Sequence, residues 1–165
     1  PFFQGGEAVI PPGFDKSSPA HWLAFGLGSG FAPKAPGTLG SAAATLLYLP
    51  LAELPLTIYC AIVFLGFLAG VWICGSTSRQ LGVHDHGGIV WDEFVGVWIT
   101  LTAVPPNLSG VLFGLLLFRL LDIVKPWPIK WADENVHGGF GIMLDDAIAG
   151  ILAAACLQAG FVLIA

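Results

Sequence analysis

Charge is what this sequence lacks most. Only 10% of its 165 residues are charged, while 56% are hydrophobic; an ordinary soluble domain carries roughly 25% charged residues. At a mean hydropathy of +0.82, a soluble fold of this length would have nowhere to hide its apolar surface, so lipid is expected to cover part of it. Basic residues are fewer still, six against eleven acidic ones. That leaves no stripe to neutralise a phosphate backbone and excludes nucleic acid as a partner. The three cysteines, Cys60, Cys74 and Cys156, all lie in apolar runs. No disulfide framework is visible, and buried or lipid-facing reduced thiols are expected. Strand-like alternation and internal repeats are absent. Residues 1–20 contain no apolar h-region, so no cleavable signal peptide is expected there.

What is present is a series of apolar runs with punctuation between them. Residues 1–20 read as a loose, flexible N-terminal segment, and residues 21–165 as a single membrane-embedded domain. Ser17 and Ser18 before Pro19 mark an N-cap and first turn, with a short amphipathic helix through His21, Trp22, Leu23 and Phe25. The stretch GLGSGFAPKAPGTLGS, residues 26–41, is too rich in glycine and proline for a regular helix and reads as a structured, re-entrant loop. Apolar runs follow at 39–52, at 56–75, from Ile89 to Pro105-Pro106, at 108–121 and at 147–165. The 56–75 run carries no charge and has the length that spans ~30 Å of hydrocarbon. In the last run only Gln158 is polar. The pattern predicts an all-α, polytopic integral-membrane bundle with two clean spans and two or three shorter helices. Trp22, Trp91, Trp127 and Trp131 fall near segment ends, as an interfacial aromatic belt would place them; ordinary core tryptophans are the alternative. The basic residues lie in connecting segments and assign no side of the membrane by themselves.

Seven charges adjoin or interrupt apolar runs: Asp92, Glu93, Arg119, Asp122, Lys125, Asp145 and Asp146. A charge in a membrane segment costs on the order of 2.5–3.5 kcal/mol even on mild scales, so such residues face an interior site. Asp92-Glu93 and Asp145-Asp146 read as adjacent pairs at helix starts, where capping is the plain account. Asp122 reads as near the end of another helix. Five carboxylates gathered without partners would drive one another towards protonation. A hard divalent cation relieves this, and Mg²⁺ takes oxygen ligands from several helices. Asp92, Glu93, Asp122, Asp145 and Asp146 are therefore the candidates for catalysis and for metal binding, with Glu53 and Asp133 outside the group.

Arg119, Asp122 and Lys125 lie at i, i+3, i+6 along one side of a helix. They are either a self-neutralising ion cluster, or Arg119 and Lys125 grip phosphate oxygens while Asp122 meets the metal. Lys125 precedes Pro126 and is pushed out of the helix. In the glycine-rich loop, Lys34 and Thr38 stand before a helix whose N–H groups can face an anion. The spacing is not that of a Walker A loop, and a packing turn is the alternative. His84-Asp85-His86 has the look of a metal set but lacks a third nitrogen or sulfur donor; surface histidines are expected there and at His137. Cys74 and Arg79 are one residue too close for a cysteine phosphatase, and no G-x-S-x-G elbow is present.

Four segments carry a resemblance: GLGSGFAPKAPGTLGS (26–41), GVHDHGGIVWDEFVGVWIT (82–100), FRLLDIVKPWPIKW (118–131) and NVHGGFGIMLDDAIAG (135–150). Together they cover most of residues 21–150, and on them the chain resembles the bacterial phosphatidylglycerophosphatase A family. The resemblance implies an all-helical, multi-pass protein of the bacterial inner (cytoplasmic) membrane with its active site at the cytoplasmic face. It implies a phosphoric monoester hydrolase of phospholipid biosynthesis, removing the terminal phosphate of phosphatidylglycerophosphate with Mg²⁺ to give phosphatidylglycerol. The family's Asp-Glu, Arg-x-x-Asp-x-x-Lys-Pro and Asp-Asp elements stand here at 92–93, 119–126 and 145–146. Two alternatives use the same acids: a Mg²⁺-dependent lipid phosphotransferase, and a small cation channel or transporter. The second needs charge distributed through the membrane depth, whereas these charges lie at segment ends.

Overall fold

A computed structural model of the chain describes residues 10–164. Every regular element among them is helical: α1 (Pro19–Ala24), a 3-10 turn (Gly26–Phe31), α2 (Pro36–Leu51), α3 (Leu56–Leu81), α4 (Trp91–Thr100), α5 (Leu108–Val124), α6 (Ile129–Asn135) and α7 (Gly138–Ile164). The boundaries have local causes. Pro19 and Pro36 sit in the first turns of α1 and α2, where a missing N–H is harmless. α3 stops at Gly82, whose left-handed backbone (φ 69°) lets its N–H reach the Arg79 carbonyl, a common helix-ending arrangement. Asn107 caps α5 by accepting from the Gly110 N–H at 2.8 Å, and Lys125 (φ 46°) ends it before Pro126.

Helices α2, α3, α4, α5 and α7 run alternately up and down, and α7 packs against α3, α4, α5 and α6. α3 has 26 residues and α7 has 27; at 1.5 Å per residue each is ~40 Å long. Both are long and apolar enough to cross a membrane, by length and composition. α3 presents Leu56, Ile58, Phe64, Leu65, Leu68 and Trp72 outward. The apolar runs at 39–52, 56–75 and 108–121 become α2, α3 and α5. The stretch 26–41 is not one helix: it divides into the 3-10 turn and the start of α2.

Two expectations need correction. Asp145 and Asp146 are not at a helix start: α7 begins at Gly138 and puts them about two turns in. Gly139, in the first turn of α7, is where that helix crosses α3. A Cβ on Gly139 would overlap the Val71 carbonyl of α3, and Gly75 lies against it, the close backbone approach that small residues permit between packed helices. Trp91 is not in an interfacial belt, since its indole N–H donates to the Gly66 carbonyl at 3.0 Å and its ring stacks on Phe94. Trp22, Trp127 and Trp131 are exposed as expected. The loose segment 1–20 lies outside the described residues for 1–9. Further along, Phe14 packs against His21, Trp22, Phe25 and Phe31, so that part is docked.

α4 is only 10 residues long and ends inside the bundle, where its last carbonyls have no helical partner. Side chains of α2, α3 and α7 supply one there and in the turn that follows. Tyr59 donates to the Trp98 carbonyl at 2.5 Å, Tyr48 to Val104 at 2.7 Å, and Gln158 to Thr102 at 3.2 Å. This gives the lone polar residue of the last apolar run its role. Tyr48→Phe should therefore lower stability by about 1–3 kcal/mol, because it strands a buried carbonyl, while turnover per folded molecule stays the same. Thermal unfolding in detergent checks this; an unchanged midpoint would remove Tyr48 from the account.

Candidate active site

The up-and-down topology gathers one end of each helix. The start of α2, the start of α4, the end of α5, the first turns of α7 and the 82–90 loop all meet there. Asp92 and Glu93 occupy the first turn of α4. Asp146 has Asp92, Asp122, Asp145 and Glu93 as charged neighbours. All five acids singled out in the sequence are thus brought together.

They are not equivalent. Glu93 reaches across to α5, where its Oε1 lies 3.1 Å from Arg119 Nη1, while Ser41 of α2 stands 3.0 Å from its Oε2. The same Nη1 donates to Asp122 Oδ2 at 2.6 Å. Arg119 Nε is buried with no partner. Lys125 Nζ sits between Asp145 Oδ2 at 2.6 Å and Asp133 Oδ1 at 2.7 Å. Burial pulls its ammonium pKa down, but hydrogen bonds and charge from Asp133 and Asp145 more than offset this and raise it above the usual lysine value. Asp133, expected outside the group, is therefore part of it. Of the i, i+3, i+6 row, Arg119 and Asp122 pair with each other, Lys125 pairs elsewhere, and Arg119 Nε keeps an unused donor.

Asp92 and Asp146 carry no salt bridge among the described residues. Asp92 Oδ1 accepts only from the neighbouring Glu93 N–H, at 3.0 Å. Asp146 is 3% exposed, and its Oδ2 is buried without a hydrogen-bond partner. A lone buried carboxylate oxygen costs several kcal/mol, so something else must satisfy it. Among the described residues, the salt bridges made by the set Asp92, Glu93, Asp122, Asp133, Asp145 and Asp146 go to Arg119 and Lys125 alone. The unbalanced charge and the all-oxygen donor set both fit a hard divalent cation. Among the described residues no three His, Cys, Asp or Glu side chains close into a ligand shell; several of these oxygens are turned to Arg119 and Lys125 instead.

Lys34 and Thr38 are exposed at the start of α2. Gly37 lies between them, and a Cβ there would stand 3.1 Å from Arg119 Nη1, so this helix start borders the arginine. His84 Nε2 accepts from the Gly138 N–H at 3.1 Å, and His86 Nδ1 from the Gly88 N–H at 3.0 Å. Each ring spends its acceptor nitrogen on the backbone, so the pair is a loop fastener rather than a metal set. Burial also holds His86 below the usual histidine pKa, with Asp85 opposing. His137 lies edge-on to His84 at 5.4 Å between ring centroids. Sequence reasoning missed Ser41, Asp85 and Asp133. Asp85 has Lys125, Asp133, His84 and Asp122 as charged neighbours, and its only sequence signal was its place between two histidines.

Cys74 is buried with its Sγ 3.8 Å from Met143 Sδ; Cys60 and Cys156 are exposed on α3 and α7. Burial keeps the Cys74 thiol inert. A variant with all three cysteines changed to Ala should keep most of its turnover. Loss of turnover in a folded variant would point to a thiol nucleophile.

The phosphatidylglycerophosphatase A family profile matches residues 22–161. A protein of Escherichia coli (strain K12) named phosphatidylglycerophosphatase A is 52% identical over 86% of this chain and 83% of its own length. A Haemophilus influenzae protein of the same name is 49% identical over 82% of this chain and 85% of its own. A Bacteroides thetaiotaomicron protein, provisionally named a phosphatidylinositol-3-phosphatase, is 42% identical over 76% of this chain and 83% of its own. No solved structure matches the chain. The matched region runs from Trp22 to Phe161 and contains every charged residue of the site, so the chain belongs to the phosphatidylglycerophosphatase A family.

Proposed function

We propose that this chain hydrolyses phosphatidylglycerophosphate to phosphatidylglycerol and inorganic phosphate, using Mg²⁺ bound at the carboxylate end of the bundle. Family membership carries the activity, that of a phosphoric monoester hydrolase. The observation that carries the cofactor is the buried, unpartnered Oδ2 of Asp146 amid surplus carboxylate charge. Asp92 and Asp146 would hold the ion, with the remaining oxygens of Asp122 and Asp145 within the same group. When bound there, Mg²⁺ polarises the phosphoryl group and lowers the pKa of a coordinated water.

The protein's own part is positioning and charge. Arg119 offers its unused donors to the phosphoryl oxygens. Lys125, kept cationic by Asp133 and Asp145, adds positive charge beside them, and Lys34 and Thr38 line the rim. Water oxygen bonds to phosphorus, the bond from phosphorus to the glycerol oxygen breaks, and the glycerol oxygen takes a proton. The lipid tails stay in the bilayer against the outward apolar faces of α3 and α5.

The same reading makes the protein a multi-pass bundle of the bacterial inner membrane, with the 26–41 segment as a re-entrant rim. All six basic residues, Lys16, Lys34, Arg79, Arg119, Lys125 and Lys130, belong to the site end, while the opposite turns carry only Glu53. The bias of Lys and Arg towards the cytoplasm supports a site on that face. The test is phosphate release from phosphatidylglycerophosphate by detergent-purified protein. Release with no alcohol acceptor supports a hydrolase. Transfer only when an acceptor alcohol is supplied would make it a phosphotransferase.

A further inference from the structure

We propose that Glu93 is neither a metal ligand nor the base: it is a bracket that aims Arg119 at the phosphate, and Ser41 is the positioning residue that fixes the bracket. The inference rests on the reading above, in which Arg119 holds the phosphoryl group.

Both Glu93 oxygens are already engaged. Oε1 faces Arg119 Nη1 at 3.1 Å. Oε2 faces Ser41 Oγ at 3.0 Å, and the same hydroxyl lies 2.8 Å from the Gly37 carbonyl, so its one proton is shared between two acceptors. The first turns of α2 are cut away to admit this carboxylate. A Cβ on Gly37 would overlap Glu93 Oε1, and one on Gly40 would stand 3.0 Å from Oε2 and 2.7 Å from Val90 Cβ. Glu93 is therefore wedged between α2 and Arg119.

The consequence falls on the guanidinium. Glu93 and Asp122 both take Nη1, leaving Nε buried and unpartnered. Nε and Nη2 form the edge with which arginine grips a phosphate through two parallel hydrogen bonds. Two carboxylates on one nitrogen lock the plane of the fork and leave that edge free for the substrate. The Gly37, Gly40 and Ser41 spacing in PGTLGS thus serves the arginine through Glu93.

The experiment measures two constants separately on the full-length, detergent-purified protein: product inhibition by inorganic phosphate, and the Mg²⁺ concentration for half-maximal turnover. In Ser41→Ala, phosphate inhibition should weaken on the order of tenfold, the scale of one hydrogen bond to a charged group, with kcat reduced and the Mg²⁺ constant within about twofold of the parent. Glu93→Gln should show the same split more strongly, and serves if Ser41→Ala fails to fold. A raised Mg²⁺ constant with phosphate inhibition intact would make Glu93 a ligand and overturn the proposal; so would no change in either constant. Arg119→Lys separates the two levels: if it leaves phosphate inhibition intact, the phosphate reading itself fails.

Discussion

Turnover should fall at least ~10²-fold in Asp146→Asn and in Asp92→Asn, the scale of losing one electrostatic or acid–base group. The substitution is nearly isosteric, so it tests charge rather than packing. Asp146 is the sharper case. Its Oδ2 is buried without a partner, and a neutral amide there removes an uncompensated charge from the interior. In chelator the Asp146→Asn protein should thus unfold no earlier than the parent, even as its activity disappears. Loss of activity without loss of stability is the signature of a group kept for chemistry. Glu53→Gln is the control, because Glu53 lies in the turn at the opposite end of the bundle. Asp133 is not a control, since it pairs with Lys125 at 2.7 Å. Normal turnover in Asp146→Asn would put the active site elsewhere.

Removing divalent cations should abolish activity completely, and added Mg²⁺ should restore it. Ca²⁺ should substitute poorly, because it prefers more ligands and longer bonds. The effect should exceed that of any single substitution, since every unpaired carboxylate would lose its counter-charge at once. A second readout needs no substrate. An ion that binds only the folded state raises the unfolding temperature as its concentration rises. Mg²⁺ should do so in the parent protein and much less in Asp92→Asn and Asp146→Asn. Full turnover in a thorough chelator would end the metal reading.

How much of this was legible beforehand depended on the kind of signal. The apolar runs announced α2, α3 and α5, because hydrophobic length is a local property. The rarity of charge singled out Asp92, Glu93, Arg119, Asp122, Lys125, Asp145 and Asp146 for the same reason. Ser41 stayed hidden: a serine four residues after a glycine is an ordinary helix residue until its partner, 52 positions away, is known. Asp133 stayed hidden because its partner Lys125 lies across the α5–α6 turn. The role of Gly139 stayed hidden for a related reason. Locally, glycine weakens a helix, but against α3 it lets two backbones approach.

The sequence by itself determined that the fold is helical, that its surface suits lipid, and which of its few charges are candidates for the site. Those properties follow from composition and spacing along one chain. Which carboxylates are consumed by Arg119 and Lys125, and which two remain unpaired, was decided only by the tertiary structure. Hydrogen bonds and ion pairs act over about 3 Å between groups far apart in sequence. No spacing along the chain encodes them until α2, α4, α5 and α7 meet at one end.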